Sequence, residues 1–199
     1  MLRLWLIRHG MTQGNKESRY IGVTDEPLCP EGRKDLEKAE YPLPQEIYVS
    51  PLARCRETAQ ILFPGKRLHI IEELSECDFG KFENKNYKEL SEDKDYQAWI
   101  DSNGMLPFPG GESREDFMQR TIKGFQKAVI GCIRNRASLG ALVIHGGTIM
   151  NIMDVYAAEE RGYYDWHVKN GGGYLIEIDT KLWLKGRREV KLCASWMEG

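Results

Sequence analysis

Short apolar runs alternate with segments of helical periodicity along most of this chain. The apolar runs are short enough for strands and lie at 2–7, 46–50, 68–71, 139–144, 173–179 and 189–195. Four segments between them have the spacing typical of helices, at 30–40, 51–63, 114–133 and 148–157. Strands that alternate with helices favour a mostly parallel sheet covered on both faces. The sequence therefore predicts an α/β fold of three layers, α/β/α, whose last two strands close the sheet as a pair.

The length of 199 residues suits one sizeable core rather than two. We find no internal repeat, no low-complexity tract and no linker composition. Residues 76–112 are the irregular part, rich in acidic, lysine, asparagine and aromatic residues, as an insertion that covers a site would be. We expect a single domain over 1–199 with an inserted cap at about 76–112.

Composition excludes several classes of function. The chain is 41% hydrophobic and 29% charged with a net charge of −2, so its overall charge favours neither nucleic acid nor a membrane surface as a partner. No apolar stretch is long enough to span a bilayer. The five cysteines form no CxxC pair, and no His, Asp and Glu cluster has ligand spacing. We expect a cytoplasmic protein that needs no metal and no cofactor.

Basic side chains follow three of the predicted strands. Arg8 and His9 leave the end of the first strand, Arg54 follows the second strand by a few residues, and His145 leaves the strand at 139–144. In open α/β sheets, ligands bind beyond the carboxyl ends of parallel strands. Two guanidiniums and two imidazoles at one edge would repel one another unless an anion lay between them. Phosphate is the anion that such sites usually bind, so the pattern indicates a phosphate site.

These residue types suit phosphoryl transfer. Arginine binds phosphate oxygens bidentately and keeps its charge. The pKa of a histidine between arginines is lowered, so the imidazole stays neutral and nucleophilic near neutral pH. A neutral imidazole can attack phosphorus and form a phosphoenzyme. The leaving alkoxide then needs a proton, which a partly desolvated carboxyl group with a raised pKa can supply.

Six segments of the chain carry a family resemblance. In chain order they are RHG (8–10), RYIGVTDEPLCPEG (19–32), SPLARCRETA (50–59), LSECDFGKFE (74–83), PGGES (109–113) and VIHGG (143–147). Their types and order resemble the histidine phosphatase superfamily, which includes the cofactor-dependent phosphoglycerate mutases. The match extends over essentially the whole chain.

The resemblance implies a role for each motif residue. His9 would be the phosphorylated nucleophile, Glu76 the proton donor and Asn15 a further phosphate ligand. The remaining groups that would hold the phosphoryl group are Arg8, Arg54 and His145, with His145 also part of the catalytic set.

Some positions near these motifs remain open. Asp78 is the alternative proton donor. The spacing of Glu76 from the pair Phe79 and Gly80 favours Glu76 over it. His69 and His167 match no motif, and we expect surface or packing roles for both.

The short cap favours hydrolysis over mutase activity. Mutases of the superfamily carry a long insertion between the proton donor and the ES motif, whereas Glu76 and Glu112 here lie only 36 positions apart. A more open pocket would let water intercept the phosphohistidine. We therefore expect a phosphomonoester hydrolase that acts on a small phosphorylated metabolite. A mutase and a non-catalytic phosphate-binding protein remain the alternatives, and the sequence does not determine the oligomeric state.

Softer similarities point to a candidate substrate. The segments RLWLIRHG (3–10), DFGKFE (78–83) and DYQAW (95–99) resemble the α-ribazole-5′-phosphate phosphatases of cobalamin nucleotide-loop assembly. Four rings of the cap region are candidates for an aromatic wall beside the base of such a substrate, or for simple packing of the cap. They are Tyr87, Tyr96, Trp99 and Phe108.

Overall fold

The computed structural model describes residues 1–196, so the last three residues of the predicted domain lie outside the described part. Six strands form one sheet in the order β3-β2-β4-β1-β5-β6. Their bounds are β1 Leu2–Arg8, β2 Glu46–Val49, β3 His69–Ile70, β4 Leu139–Ile144, β5 Gly173–Ile178 and β6 Lys191–Trp196. The first four pair in parallel, whereas β5 runs antiparallel to β1 and to β6. The predicted α/β class with a mostly parallel sheet is confirmed.

Seven α-helices lie within the described residues. They are α1 Gln13–Lys16, α2 Pro30–Leu36, α3 Ala53–Leu62, α4 Lys94–Asp101, α5 Arg114–Arg134, α6 Gly146–Tyr156 and α7 Thr180–Leu184. The longest helix, α5, begins where predicted, because the Ser113 hydroxyl accepts a hydrogen bond from the Asp116 backbone N–H at 3.0 Å. Neither α1 nor α7 was predicted from the apolar spacing, since helices of four and five residues show little periodicity.

Alternate residues of β1 face opposite layers of helices, as the pleat of a strand requires. Leu4 and Leu6 join the core formed with Phe125 of α5 and the apolar side of α6. Trp5 and Ile7 join a second core on the other face of the sheet, packed against α3. The sheet is therefore the middle layer of three, which buries both of its faces.

The segment 76–112 contains its own cluster of rings. Phe82, Leu90 and Tyr96 are buried there, and the partly buried rings packed against them are Tyr20, Phe79, Trp99 and Phe108. The interpretation of this segment as irregular is wrong for Lys94–Asp101, which forms α4. The Asp93 carboxylate begins this helix by accepting hydrogen bonds from two backbone N–H groups of its first turn.

Strand order brings the ends of β1, β2 and β4 together. Arg8 at the end of β1 is in register with Ile144 at the end of β4, so the next residue on each strand is a histidine. Within residues 1–196, none of the helices combines the length and apolar content needed to cross a membrane. The carboxyl edge of the three parallel strands is where the predicted site residues converge.

Candidate active site

His9 and His145 lie side by side beyond the carboxyl ends of β1 and β4. Their ring centroids are 5.2 Å apart with the rings nearly edge to face, and both side chains are buried. These two residues are 136 positions apart in the sequence, and only the parallel pairing of their strands places them together. The predicted convergence of the two imidazoles is present in the structure.

A backbone contact determines which nitrogen of His9 can react. Nδ1 lies 2.7 Å from the carbonyl oxygen of Gly10. Because a carbonyl can only accept, Nδ1 must carry the proton, and Nε2 is left with the lone pair. The neutral ring is thus held in the tautomer that presents Nε2 as a nucleophile.

His145 is held by two side chains that the sequence analysis did not single out. Its Nε2 lies 2.7 Å from the Ser50 hydroxyl and 3.5 Å from the thiol sulfur of Cys55. Ser50 follows β2 directly, so its position beside β4 depends on the pairing of these strands. Burial raises the pKa of the Cys55 thiol to about 12, which keeps it uncharged beside the imidazole.

Burial and neighbouring cations keep both imidazoles neutral. Burial lowers the pKa of His9 and of His145 well below 6.5, and the charge of Arg54 lowers both further. The pKa depression expected for a histidine between arginines is therefore present, although burial is the larger cause.

The Arg54 guanidinium is fully buried in the first turn of α3. Its two terminal nitrogens donate to backbone carbonyls: Nη1 to Thr24 at 2.8 Å, and Nη2 to Gly22 at 2.8 Å and to Ile21 at 3.3 Å. Its Nε is buried without a hydrogen-bond partner within the described residues. A buried charged donor left unpaired is costly, so this N–H suits an anion bound between the histidines.

Arg8 reaches the same region from β1. Its Nη1 donates to the Val168 carbonyl at 2.8 Å and lies 3.1 Å from Nε2 of His167. Its Nε, like that of Arg54, is buried with no partner among residues 1–196. His167 is exposed, as a surface role predicts, and its ring contacts the predicted phosphate ligand Arg8. His69, by contrast, pairs with Glu46 and packs on Tyr48, as a packing role predicts.

The loop that holds Arg54 is itself organised by one carboxylate of the 76–112 segment. Glu83 accepts hydrogen bonds from the backbone N–H groups of Gly22, Val23 and Thr24 and from the Thr24 hydroxyl. The carbonyls of this loop are the ones that orient the Arg54 guanidinium. Glu83 lies within one of the family motifs, but its role could not be predicted, because its partners are about 60 positions away.

Asn15 lies in α1, close to the end of β1. Its side-chain oxygen accepts from the Thr12 backbone N–H at 3.2 Å and from the Asn170 amide at 3.0 Å. Asn170 also donates to the carbonyl of His9 at 3.1 Å. With its oxygen occupied in this way, Asn15 has its amide N–H₂ group to offer to an anion.

Glu76 is a buried carboxyl group at the same edge. Its two oxygens accept from the backbone N–H groups of Cys77 at 3.0 Å and Gly147 at 3.3 Å. Burial raises its pKa despite these hydrogen bonds and the nearby charges of Arg54 and Arg8. A side chain at Gly147 would place its first carbon 2.6 Å from a Glu76 carboxyl oxygen, so any larger residue there would displace this carboxyl group.

Asp78 is the weaker candidate for the proton donor. Its carboxylate accepts from the Gly80 backbone N–H at 2.9 Å and shapes the turn that leads into the 76–112 segment. It lines a depression together with Glu76, Glu112 and Arg120. Glu76 also faces the cavity described next, which Asp78 does not line.

A cavity of about 260 Å³ opens beside Glu76. Aromatic rings form most of its wall: Tyr20, Phe79, Trp99, Phe108, Phe117, Tyr163 and Tyr164. Two of the four predicted wall residues, Trp99 and Phe108, are among them. Tyr96 is buried in the ring cluster, so the packing alternative holds for it, whereas Tyr87 is exposed and does not line the cavity. The sequence could not identify the other rings, because they come from four separate segments of the chain.

Acid should destabilise the folded chain through the two buried histidines. Their folded-state pKa values lie well below 6.5, whereas in the unfolded chain they titrate near 6.5. The folded state therefore has its full stability with respect to these two groups above about pH 6.5. It loses stability as the pH falls from there toward the folded-state pKa values. The loss amounts to at most about 1.4 kcal/mol per pH unit for each histidine. Urea denaturation between about pH 7.5 and about pH 5.5 measures it, and an unchanged free energy of unfolding would contradict it.

The comparisons with known proteins agree with this geometry. The sequence profile of the histidine phosphatase superfamily (branch 1) matches residues 4–190. The chain belongs to this superfamily. Within residues 1–196, no group of three or more His, Cys, Asp or Glu residues is placed to hold a metal ion.

Members of this superfamily with different activities resemble the chain. Phosphoserine phosphatase 1 of Hydrogenobacter thermophilus is 32% identical over 137 residues, which span 65% of this chain and 64% of that relative, just under two thirds of its length. The 2,3-bisphosphoglycerate-dependent phosphoglycerate mutase of Cytophaga hutchinsonii is 29% identical over 95% of this chain and 93% of its own. The crystal structure of the alpha-ribazole phosphatase from Shigella flexneri superposes with a TM-score of 0.77 at 25% identity, covering 98% of this chain and 96% of that one. The histidine phosphatase relatives are thus enzymes of both the phosphatase and the mutase type.

Proposed function

We propose that this histidine phosphatase superfamily member hydrolyses a small phosphomonoester through a phosphohistidine on His9, without a metal ion. The single observation that carries the proposal is the buried pair of unpaired guanidinium Nε groups, Arg8 and Arg54, beside a neutral histidine whose Nε2 is free. The two guanidiniums provide positive charge for the phosphoryl group, and His9 provides the nucleophile. The burial of the two Nε groups and of His9 excludes water from the site.

In the first half of the reaction, His9 Nε2 attacks phosphorus and the bond from phosphorus to the alcohol oxygen breaks. The guanidiniums of Arg8 and Arg54, the Asn15 amide and His145 contact the transferring phosphoryl oxygens. Glu76, whose raised pKa favours the protonated form, gives its proton to the departing alkoxide.

In the second half, water attacks the phosphohistidine. The Glu76 carboxylate formed in the first half takes a proton from that water, and the phosphorus–nitrogen bond breaks to release inorganic phosphate. Both the histidine and the carboxyl group return to their starting protonation states, so the cycle balances without any added group.

For the substrate, we propose α-ribazole 5′-phosphate as the first named candidate. The ring-lined cavity beside Glu76 suits an alcohol that carries an aromatic group. The structural likeness to an alpha-ribazole phosphatase supports the same choice. The small-molecule phosphomonoester is the expected partner, and we expect neither nucleic acid nor a membrane to bind this site.

Mutase activity is the second candidate, because a mutase is similar to the chain over almost its full length. We propose that 1–199 form one histidine phosphatase domain whose cap, at about 76–112, is too short to retain a bisphosphate intermediate.

We place the protein in the cytoplasm, since its five cysteines are all free thiols in the structure.

A panel of phosphomonoesters tests the proposal. The panel contains α-ribazole 5′-phosphate, 3-phosphoglycerate, phosphoserine and a sugar phosphate, each assayed for released phosphate with and without exhaustive chelation by EDTA. We expect release from at least one compound at a rate that EDTA leaves unchanged, because the arginines supply the positive charge that a metal would bring. Activity lost to EDTA and restored by magnesium or zinc would contradict the mechanism.

The same panel separates hydrolysis from mutase activity. A mutase would convert 3-phosphoglycerate to its 2-isomer only when a bisphosphate primer is added, with little net release of phosphate. Primer-dependent isomerisation that exceeds phosphate release on every compound would favour the mutase.

A further inference from the structure

The ring-lined cavity contains one basic side chain, Arg114, at the start of α5. Of the described residues that line the cavity, only Glu76 and Arg114 are acidic or basic. Glu76 is the proton donor of the proposed mechanism, whereas Arg114 has no role in it. A guanidinium in a cavity lined mostly by rings is therefore an unexplained feature of the site.

The position of Arg114 is held by an aromatic ring rather than by an acid. Its guanidinium carbon lies 4.6 Å from the centre of the Tyr163 ring, a stacking distance. Its other contact is a weak one, from Nη1 to the sulfur of Met105 at 3.8 Å. Within residues 1–196, no carboxylate lies within 4 Å of it. Its stacked guanidinium thus keeps donors available for a ligand, and the ligand group that suits them is a carboxylate or another anion.

We propose that Arg114 makes this enzyme prefer phosphomonoesters whose alcohol part is an aromatic ring bearing a carboxylate or a similar anionic group. The rings of the cavity contact the apolar body, and Arg114 binds the anion. The volume of about 260 Å³ suits a single ring system with one small substituent. α-Ribazole 5′-phosphate would satisfy the rings, but its uncharged base offers no anion to Arg114. This inference rests on the proposed hydrolase function and ranks α-ribazole 5′-phosphate below aryl phosphates that carry an anionic group.

Three aryl phosphates of nearly equal size test the preference. They are phenyl phosphate, 3-carboxyphenyl phosphate and 3-carbamoylphenyl phosphate, and the measured quantity is kcat/KM for each. The carbamoyl group has the shape of the carboxylate without its charge. It also withdraws electrons more strongly, so leaving-group chemistry alone would favour the carbamoyl compound. We expect the carboxylate compound to be favoured about tenfold over the carbamoyl compound.

Two variants show whether that preference comes from Arg114. Arg114→Met keeps the stem of the side chain and should bring the ratio of the two kcat/KM values to about one. Arg161→Met is the matched control, because both arginines are exposed and each lies 4.6 Å from the centre of a ring, Trp166 for Arg161, but Arg161 does not line the cavity. The control variant should keep the wild-type ratio. In the wild type, the ratio should also fall as sodium chloride rises from about 50 mM to about 500 mM.

A binding measurement separates this inference from the proposed function. Calorimetry with the His9→Ala variant gives the Kd of each aryl phosphate without turnover. If the wild-type enzyme releases phosphate from none of the compounds, here or in the panel, the proposed hydrolase function is contradicted. The ratio of the Kd values would still test the role of Arg114. Equal Kd values for the carboxylate and carbamoyl compounds would overturn the inference. A preference that survives in Arg114→Met, or that disappears equally in Arg161→Met, would overturn it as well.

Discussion

Replacing His9 with alanine should abolish turnover and the formation of a covalent phosphoenzyme. Its Nε2 is the nitrogen left with a lone pair once Nδ1 donates to the Gly10 carbonyl. Loss of a covalent nucleophile typically lowers the rate on the order of 10⁴- to 10⁶-fold. Rapid quenching of the wild-type enzyme with a radiolabelled substrate should trap a phosphate that is labile to acid and stable to base.

The His9 experiment has a natural control in the same sheet. His69→Ala removes another imidazole, on β3, which pairs with Glu46 away from the site. This variant should keep both turnover and the trapped phosphate. Thermal unfolding of both variants shows that the chain still folds. Near-normal turnover in folded His9→Ala would refute the phosphohistidine mechanism.

Replacing Glu76 with glutamine should slow the enzyme in a way that depends on the leaving group. General acid catalysis is worth about 10²- to 10⁴-fold, and it matters only when the departing oxygen needs a proton. The variant should lose about that much on an alkyl phosphate and far less on p-nitrophenyl phosphate. Because the pKa of Glu76 is raised and its proton is lost above that pKa, the wild-type rate on the alkyl phosphate should fall as pH rises through it.

Arg54→Ala supplies the contrast for the Glu76 experiment. Arg54 acts on the phosphoryl group, which is the same in both substrates, so its removal should slow both by a similar factor. If Glu76→Gln also slows both substrates equally, Glu76 serves binding or structure instead. Asp78→Asn would then be the variant to examine, since Asp78 lies two positions along the chain.

Much of the site was predictable because its residues sit next to local signals. Arg8, His9 and His145 each follow an apolar run, and the carboxyl ends of parallel strands are where ligands bind. The position of Arg54 could be inferred in the same way. Its complete burial could not, because the carbonyls that surround it come from the loop at 21–24.

The residues that support the site could not be predicted from the sequence. Ser50 contacts His145 across 95 positions, and His167 contacts Arg8 across 159. Glu83 holds its loop from about 60 positions away. No periodicity or turn signal connects residues so distant, since these contacts depend on which strands become neighbours and on how each side chain is oriented.

The sequence by itself determined the class of fold and the chemistry of the strand ends, because hydrophobic period and turn residues act over a few positions. Only the tertiary structure gives Glu76 a physical advantage over Asp78, because Glu76 is buried and lines the ring-lined cavity, which Asp78 does not line. The structure also decided which rings form the wall of that cavity. Tyr163 and Tyr164, which follow α6, line it together with Trp99 and Phe108 of the 76–112 segment. Such convergence is a property of packing in three dimensions, which a one-dimensional pattern does not contain.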